Sequence, residues 1–549
     1  MDRSASGQDN KRGDTVALFV IIALQLSVVL FYSVRKQGLH IDEILSYNLA
    51  NAYFKNQYSP VPGFDTWIQP TFFHDLLVVS RDHRFAYDSV FFNQSQDVHP
   101  PFYYVLLHTI SSFFPAAYSK WYGLSLNAAL FVVCDVFLFL LSRRLLRDRL
   151  LSFVPVILWG FSAGAVSTAI FIRMYMLLTA LTVIFVYCHA PWLERETPPK
   201  PSIAVSGAAL LGVLTQYYFL IFAFFWASLC FLVLLLRRQW RQSVVYVASL
   251  LGAFFAAYFI FPQSIQHLFS SYRGATAAAN LAAVSDMPSR LRTMLAILSG
   301  QQFGGLLPEL AAILACLLVW ALICGRRASP TTPGRRGVGP SIAPSVAWTL
   351  RSARNAAVED VLLVSLTVST IGTLIVVAKI SPLLTSRYLF FIYPVVTLTA
   401  VGWILRLCSA LVPNRQVLGA GVLCVFLVAT GLSYKRGWVH YARADYATVL
   451  ATARAYANYD CVYVTERTWV VVSSTLELAN FRRTYVVRSA GVTGLPAILG
   501  DPADEKGIVM YIDAEANGQD ILASVLASTR YDSSTLLYST DFSKAYLVR

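Results

Sequence analysis

Four short segments of the chain gather residue types that can do chemistry. The first is His40-Ile41-Asp42-Glu43-Ile44-Leu45-Ser46-Tyr47. Adjacent carboxylates can supply a general base or a metal ligand, although acids also suit the dipole at the start of a solvated helix. The second is Asp97-Val98-His99-Pro100-Pro101-Phe102-Tyr103-Tyr104. Its prolines open a helix at the turn where a missing N–H costs nothing. Just before them, His99 can donate to an anion while Asp97 orients the ring, or the two can form a purely structural pair. The third is Arg173, within Ile170-Phe171-Ile172-Arg173-Met174-Tyr175, and a charge among such neighbours is paired, functional or snorkelling to an interface. The fourth is Ser386-Arg387-Tyr388-Leu389-Phe390, with Lys379 nearby. Two or three cations facing acidic residues make a pocket for a phosphate head group.

The elements that position these residues must lie in a membrane. The 549 residues are 56% hydrophobic and 13% charged, with a mean hydropathy of +0.56, whereas soluble domains carry roughly 25% charged residues. Apolar runs of about 20 residues recur as far as position 434, each long enough to cross a hydrocarbon core of about 30 Å as a helix. The net charge of +14 is dispersed over short segments between these runs, the distribution expected of cytoplasmic loops. No basic face with interleaved aromatics marks a nucleic-acid binder. Seven of the eight cysteines sit in or beside apolar runs and Cys461 stands alone in the polar tail. Without a CxxC spacing, neither a zinc site nor a disulfide framework is indicated.

Charge and length together predict a topology. Lys11 and Arg12 precede the first apolar run, so residues 1–14 are expected to be cytoplasmic and the run itself a retained anchor rather than a cleaved signal. Residues 37–100 are polar and aromatic and form a large external loop. The run 102–114 is too short to span, and counting it as a span would place Arg143, Arg144, Arg147 and Arg149 outside. It reads as a juxtamembrane or re-entrant helix. Spans are then expected near 121–142, 150–170, 174–192, 203–216, 217–236, 243–262, 305–324, 359–379, 388–406 and 416–434, with the basic connections, 194–200 among them, inside. Residues 325–357, rich in Gly, Pro, Ser and Arg, read as a mobile cytoplasmic linker.

From Ala444 onward the pattern changes. Helix-like stretches at 444–457, 467–480 and 519–528 alternate with strand-like runs at 461–464, 484–488, 507–512, 535–538 and 545–548, the order of a small α/β module. It contains no GxGxxG or P-loop. The expected fold is a polytopic α-helical membrane protein of about eleven transmembrane helices over 15–434, followed by a small extracytoplasmic α/β domain over 435–549.

In their order and spacing, Asp42-Glu43 after the first span, His99-Pro100-Pro101-Phe102-Tyr103-Tyr104, Arg173-Met174-Tyr175 and Arg387-Tyr388-Leu389 resemble the signature segments of the GT-C glycosyltransferases. The branch they are most similar to contains protein O-mannosyltransferases and lipid A aminoarabinose transferases, and the likeness runs from about 15 to 405. The resemblance implies an enzyme that moves a sugar from a polyprenyl phosphate, dolichyl or undecaprenyl, to a protein, lipid or glycan acceptor on the non-cytoplasmic face. It makes Asp42 the base, accompanied by Glu43, and assigns His99, Arg173 and Arg387 to the donor phosphate. Asp97, Tyr103, Tyr175, Gln216 and Tyr388 support them. A positioned carboxylate can take the acceptor's proton, cations can stabilise the departing lipid phosphate, and a single displacement inverts the anomeric centre.

Two positions depart from the family pattern. Phe171-Ile172 stand where relatives often carry Glu-Ala, and Thr215-Gln216-Tyr217 where they often carry Thr-His-Tyr; an acidic contribution and a second histidine are therefore missing. Asp42, Glu43, Asp97 and His99 can surround a divalent cation, but no ligand spacing demands one. A transporter or flippase, or a non-catalytic binding protein for lipid-linked sugars, would share the spans and buried cations. Transporters, however, place polar sites near the midplane rather than at one face. Asn93-Gln94-Ser95 forms a glycosylation sequon in the external loop.

Overall fold

An apolar run in hydrocarbon must close its backbone hydrogen bonds within itself, and a helix does so. The computed structural model describes residues 2–54, 63–193, 203–283, 286–313, 315–316, 319, 357–409, 412, 414–499 and 507–549. The connection 194–200, much of the expected span 305–324 and all but the last residue of the linker 325–357 lie outside the described residues. Among the described residues, eight helices are long and apolar enough to cross a membrane: Arg12–Arg35, Lys120–Leu146, Tyr175–Leu193, Tyr218–Leu236, Trp240–Ile260, Val358–Ile380, Phe390–Cys408 and Arg415–Lys435. The pair Phe153–Gly160 and Ala163–Ile170, bent by 63°, is a broken span or a re-entrant loop, and the count reaches nine if it is one span. The chain is a multi-pass helical membrane protein. Phe102–Ser112, at 11 residues, extends only about 16 Å and does not cross. Ile203–Val213 is equally short.

The chain divides into two compact units. The first comprises Met1–Tyr32, Val98–Phe102 and Leu124–His440. At one end of its helix bundle Arg143 and Arg149 both pair with Asp14, Arg143 at 2.9 Å. Arg147 pairs there with Glu359 at 2.6 Å and Arg406 with Asp360 at 2.6 Å. The basic connections therefore meet the starts of the Arg12–Arg35 and Val358–Ile380 helices at a single end. At the opposite end, the last carbonyls of Val358–Ile380, orphaned by helix geometry, find donors. Arg290 Nε donates to Ala378 O at 2.7 Å, its Nη2 donates to Ser381 O, and Asn280 Nδ2 donates to Ile380 O at 3.1 Å. These donors come from the helices Tyr272–Ala282 and Met287–Phe303, which lie in a stretch without a span-length apolar run.

The second unit comprises Ser33–Asp97, Tyr103–Gly123 and Tyr441–Arg549. Its six-stranded sheet holds β1 (Thr66–Ile68), β2 (Asp460–Val464), β3 (Arg483–Val487), β4 (Ile508–Asp513), β5 (Ser534–Ser539) and β6 (Ser543–Val548), in the order β1-β3-β2-β4-β6-β5. β2 runs parallel to β3 and β4, and the remaining pairs are antiparallel. With both faces of β2 covered, Cys461–Val464 form a continuous apolar run rather than an alternating one. Cys461 and Tyr463 enter one core layer, Val462 and Val464 the other. The first loop supplies β1 and also Ile68, Phe73 and Leu76 to the first of these layers.

Candidate functional site

The acidic motif folds as the helix Ile41–Asn51 in the second unit, and its start is fully capped. His40 is the N-cap: its Nδ1 accepts from Asp42 N at 3.1 Å, while Glu43 Oε2 accepts from His40 N at 2.7 Å. This reciprocal pair is a capping box. The same Glu43 oxygen lies 2.9 Å from Lys36 Nζ, and both side chains are fully buried. Burial holds the Lys36 ammonium below the ordinary lysine value, with the Glu43 charge opposing that shift. Glu43 is thus occupied by the cap and the ion pair. Asp42, beside it, keeps 20% of its side chain exposed, and its Oδ2 lies 3.5 Å from His40 Nδ1.

Residues from the far end of the chain hold this motif in place. Tyr441 O accepts from Lys36 Nζ at 2.6 Å, and Arg443 O accepts from the N–H groups of Gln37 and Gly38. The Tyr441 ring meets the His40 ring edge-on, centroids 5.5 Å apart. Gly38 lies under the Tyr446 ring, where any Cβ would overlap it. Tyr446 in turn donates its hydroxyl to Glu477, a fully buried carboxyl pushed up to about 7 by loss of solvation, with the Tyr446 hydrogen bond opposing.

Asp97 and Tyr103 belong to the same unit. Both are buried; the Asp97 N–H donates to Gln94 O at 3.1 Å, and Tyr103 packs edge-on against Tyr104. The sequon asparagine is also buried: Asn93 Nδ2 donates to Leu49 O at 3.2 Å and to Ala52 O at 2.7 Å, satisfying carbonyls at the end of the Ile41–Asn51 helix. Its amide faces the interior and is engaged by these two carbonyls.

The first unit holds the cations. Arg387 is 9% exposed on the turn Ser386–Tyr388, its guanidinium 5.4 Å from the centre of the Tyr388 ring. Ser386 Oγ lies 3.0 Å from His440 Nδ1, which ties this turn to the end of the unit. The Tyr388 ring meets the Tyr218 ring edge-on at 5.1 Å, and Tyr218 shares a hydrogen bond with Ser381 at 3.1 Å. Arg273, on the Tyr272–Ala282 helix, lies within electrostatic range of Tyr388 and of Arg387, whose like charge repels it. Sequence reasoning missed Arg273; the Ser271 cap just before it, whose Oγ accepts from Gly274 N at 3.1 Å, was the available signal.

The remaining expected residues join this cluster through neighbours. Arg173 is 4% exposed, in the turn after Ala163–Ile170. Asn127 Nδ2 shapes that turn by donating to Ala169 O and Phe171 O at 3.1 and 2.7 Å. Tyr175 stacks on Phe171 and meets Phe390, three residues beyond Arg387, edge-on at 6.0 Å. His99 is half-buried, three residues before Phe102, whose N–H donates to Leu214 O at 3.0 Å. Gln216, two residues after Leu214, is buried.

Below Tyr218 the same helix turns apolar. Leu220, Ala223, Phe224 and Ala227, spaced for one helical face, line a groove of about 410 Å³ with Phe185, Leu250 and Phe254. Among the described residues, no group of three or more His, Cys, Asp or Glu is placed to hold a metal ion.

No known family profile matches the chain, and no curated protein matches it. Solved structures of similar chain course include ArnT from Cupriavidus metallidurans bound to undecaprenyl phosphate, at 12% identity and a TM-score of 0.46, covering 96% of this chain and 97% of that one. The apo state of the same protein gives 12% identity and a TM-score of 0.48 over 96% and 98%. The archaeal oligosaccharyltransferase AglB from Archaeoglobus fulgidus, in complex with an inhibitory peptide and a dolichol-phosphate, gives 12% identity and a TM-score of 0.41 over 92% and 71%.

Proposed function

We propose that this protein is a membrane glycosyltransferase of the GT-C type that takes its sugar from a polyprenyl phosphate. The observation that carries the reading is the arrangement along the Tyr218–Leu236 helix. Its first residue adjoins the Arg387, Tyr388 and Arg273 cluster, and the face from Leu220 to Ala227 lines an apolar groove. Two guanidinium groups brought near each other favour an anionic ligand over a neutral one. A ligand with an anionic head and an apolar tail satisfies both features at once. That is the chemistry of a lipid phosphate.

In the proposed reaction Asp42 removes the proton from an acceptor hydroxyl as its oxygen attacks the anomeric carbon. The bond from that carbon to the phosphate oxygen breaks, the centre inverts, and the lipid phosphate leaves with one further negative charge. Arg387 and Arg273 stabilise that charge, with His99 and Arg173 assigned to the same donor. Glu43 holds the Asp42 helix rather than touching the acceptor. The end carrying Arg143 to Arg149 is cytoplasmic, as the positive-inside rule requires, with the working residues and carboxyl terminus on the other side.

The test is purified protein in nanodiscs supplied with polyprenyl-phosphate sugars and a membrane extract as the acceptor source. The wild type is expected to consume a lipid-linked sugar and release polyprenyl phosphate, while Asp42→Asn still binds the lipid and stops consumption. Undiminished consumption by Asp42→Asn sinks the base assignment, and failure to bind any polyprenyl phosphate sinks the whole reading.

A further inference from the structure

His40 caps its helix through a ring nitrogen, and that nitrogen also faces the carboxylate of Asp42. Nδ1 accepts from the Asp42 N–H at 3.1 Å, so in the neutral ring Nδ1 carries the lone pair and Nε2 the proton. The same Nδ1 is 3.5 Å from Asp42 Oδ2, and both side chains reach solvent, at 19% and 20% exposure. His40 and the backbone leading into it are held at three points. Glu43 Oε2 fixes its backbone N–H, the Tyr441 ring lies edge-on to it, and Arg443 O grips the N–H groups of Gln37 and Gly38 just before it. Charged groups around it include Asp42, the buried Lys36 and Glu43 pair, Lys120, whose Nζ donates to Lys36 O, and Arg443, whose charge acts on Lys36. A lone cap needs none of this exposure or proximity to a second titrating group, and serine or aspartate would cap as well.

We propose that His40 is a proton-relay residue that positions Asp42 and takes on the proton Asp42 removes from the acceptor. The proposal rests on the reading of Asp42 as base. The acceptor O–H bond breaks as an O–H bond forms on Asp42. That O–H bond then breaks as Nδ1–H forms on His40, and the imidazolium releases a proton to water from its exposed ring, leaving Asp42 ionised for the next turnover. Imidazole is intrinsically the more basic of the two kinds of group. While His40 is charged, Nδ1 donates to Asp42 and the cap to the Asp42 N–H opens.

His40→Asn separates the two roles, because asparagine caps a helix equally well and cannot accept the proton. Measured with full-length protein in nanodiscs and a polyprenyl-phosphate sugar, His40→Asn is expected to keep the wild-type melting temperature and KM for the donor. Its kcat falls about 100-fold, the low end for loss of acid–base help. The acid limb of its pH profile moves from the imidazole range down to the carboxylate range, by about two units. His40→Ala loses the cap and melts lower as well. If His40→Asn keeps the wild-type kcat and pH profile while Asp42→Asn is inactive, the relay is overturned and the base assignment stands. If Asp42→Asn itself transfers sugar undiminished, the underlying reading has failed and the relay with it.

Discussion

Lys36 Nζ lies 2.9 Å from Glu43 Oε2, and neither side chain reaches solvent. Two charges taken out of water are held by each other, and removing one leaves the other stranded. Glu43→Gln keeps the capping geometry, since glutamine serves at that position of the box, yet strands the Lys36 ammonium. It is expected to cost about 3 kcal/mol, at the low end for a broken buried pair. The double variant Lys36→Met with Glu43→Gln recovers most of that loss. Thermal unfolding in detergent reads both, and Asp42→Asn in the same assay should melt like the wild type.

The head and tail of the proposed lipid ligand can be perturbed separately. Arg273→Ala and Arg387→Ala each remove a charge-assisted contact and should weaken retention of polyprenyl phosphate about 10- to 100-fold, with lysine at either position restoring part of it. Ala227→Phe fills the groove instead. It should raise KM for long-chain donors and leave a short-chain analogue unaffected, which native mass spectrometry and kinetics with donors of two lengths would show.

Asn93 supplies two hydrogen bonds to carbonyls at the end of the Ile41–Asn51 helix. Expression in a glycosylating host should add no glycan at this sequon. Asn93→Ala removes the side-chain donor to Leu49 O and leaves Ala52 O only the Ser89 hydroxyl, and is expected to destabilise by about 1–3 kcal/mol. A mass shift at Asn93 in the folded protein would contradict its placement.

Glu477 gives a pH dependence whose sign is fixed. Its folded carboxyl holds a proton up to about 7, whereas the unfolded chain loses it in the ordinary carboxylate range. Stability from this group is therefore complete below that range and declines as pH rises through 7, by about 3 kcal/mol in all. Trapping of the buried Cys461 thiol, normalised to a free thiol, should report more frequent opening of the sheet at pH 8 than at pH 5.5. Glu477→Gln should flatten the slope.

Much of this structure is legible in the chain. The strand-like runs at 461–464, 484–488 and 507–512 lie within a residue of β2, β3 and β4, because β-branched and aromatic residues between polar breaks have few alternatives. β1 is not legible: three residues in a polar loop acquire strand geometry only by pairing with β3. The run 150–170 reads as one span, yet it breaks where Ser162 Oγ accepts from Ala165 N at 3.0 Å, since uniform apolarity hides a cap. At the site, Asp42 and Arg387 stand out as charges beside apolar runs. His40 and Arg273 do not, because a cap and a cation on an exposed helix look ordinary until their distant neighbours are in place.

The 405 positions that separate Lys36 from its Tyr441 partner have a consequence for biogenesis. The ribosome makes the acidic motif before, and its clamp after, the spans from Lys120 to Lys435. The loop bearing Asp42 must therefore wait, unsupported, while those helices insert, and it acquires its final shape only when residues 441–446 arrive. A chain elongated through the spans but not yet to residue 441 lacks the contacts that hold this loop.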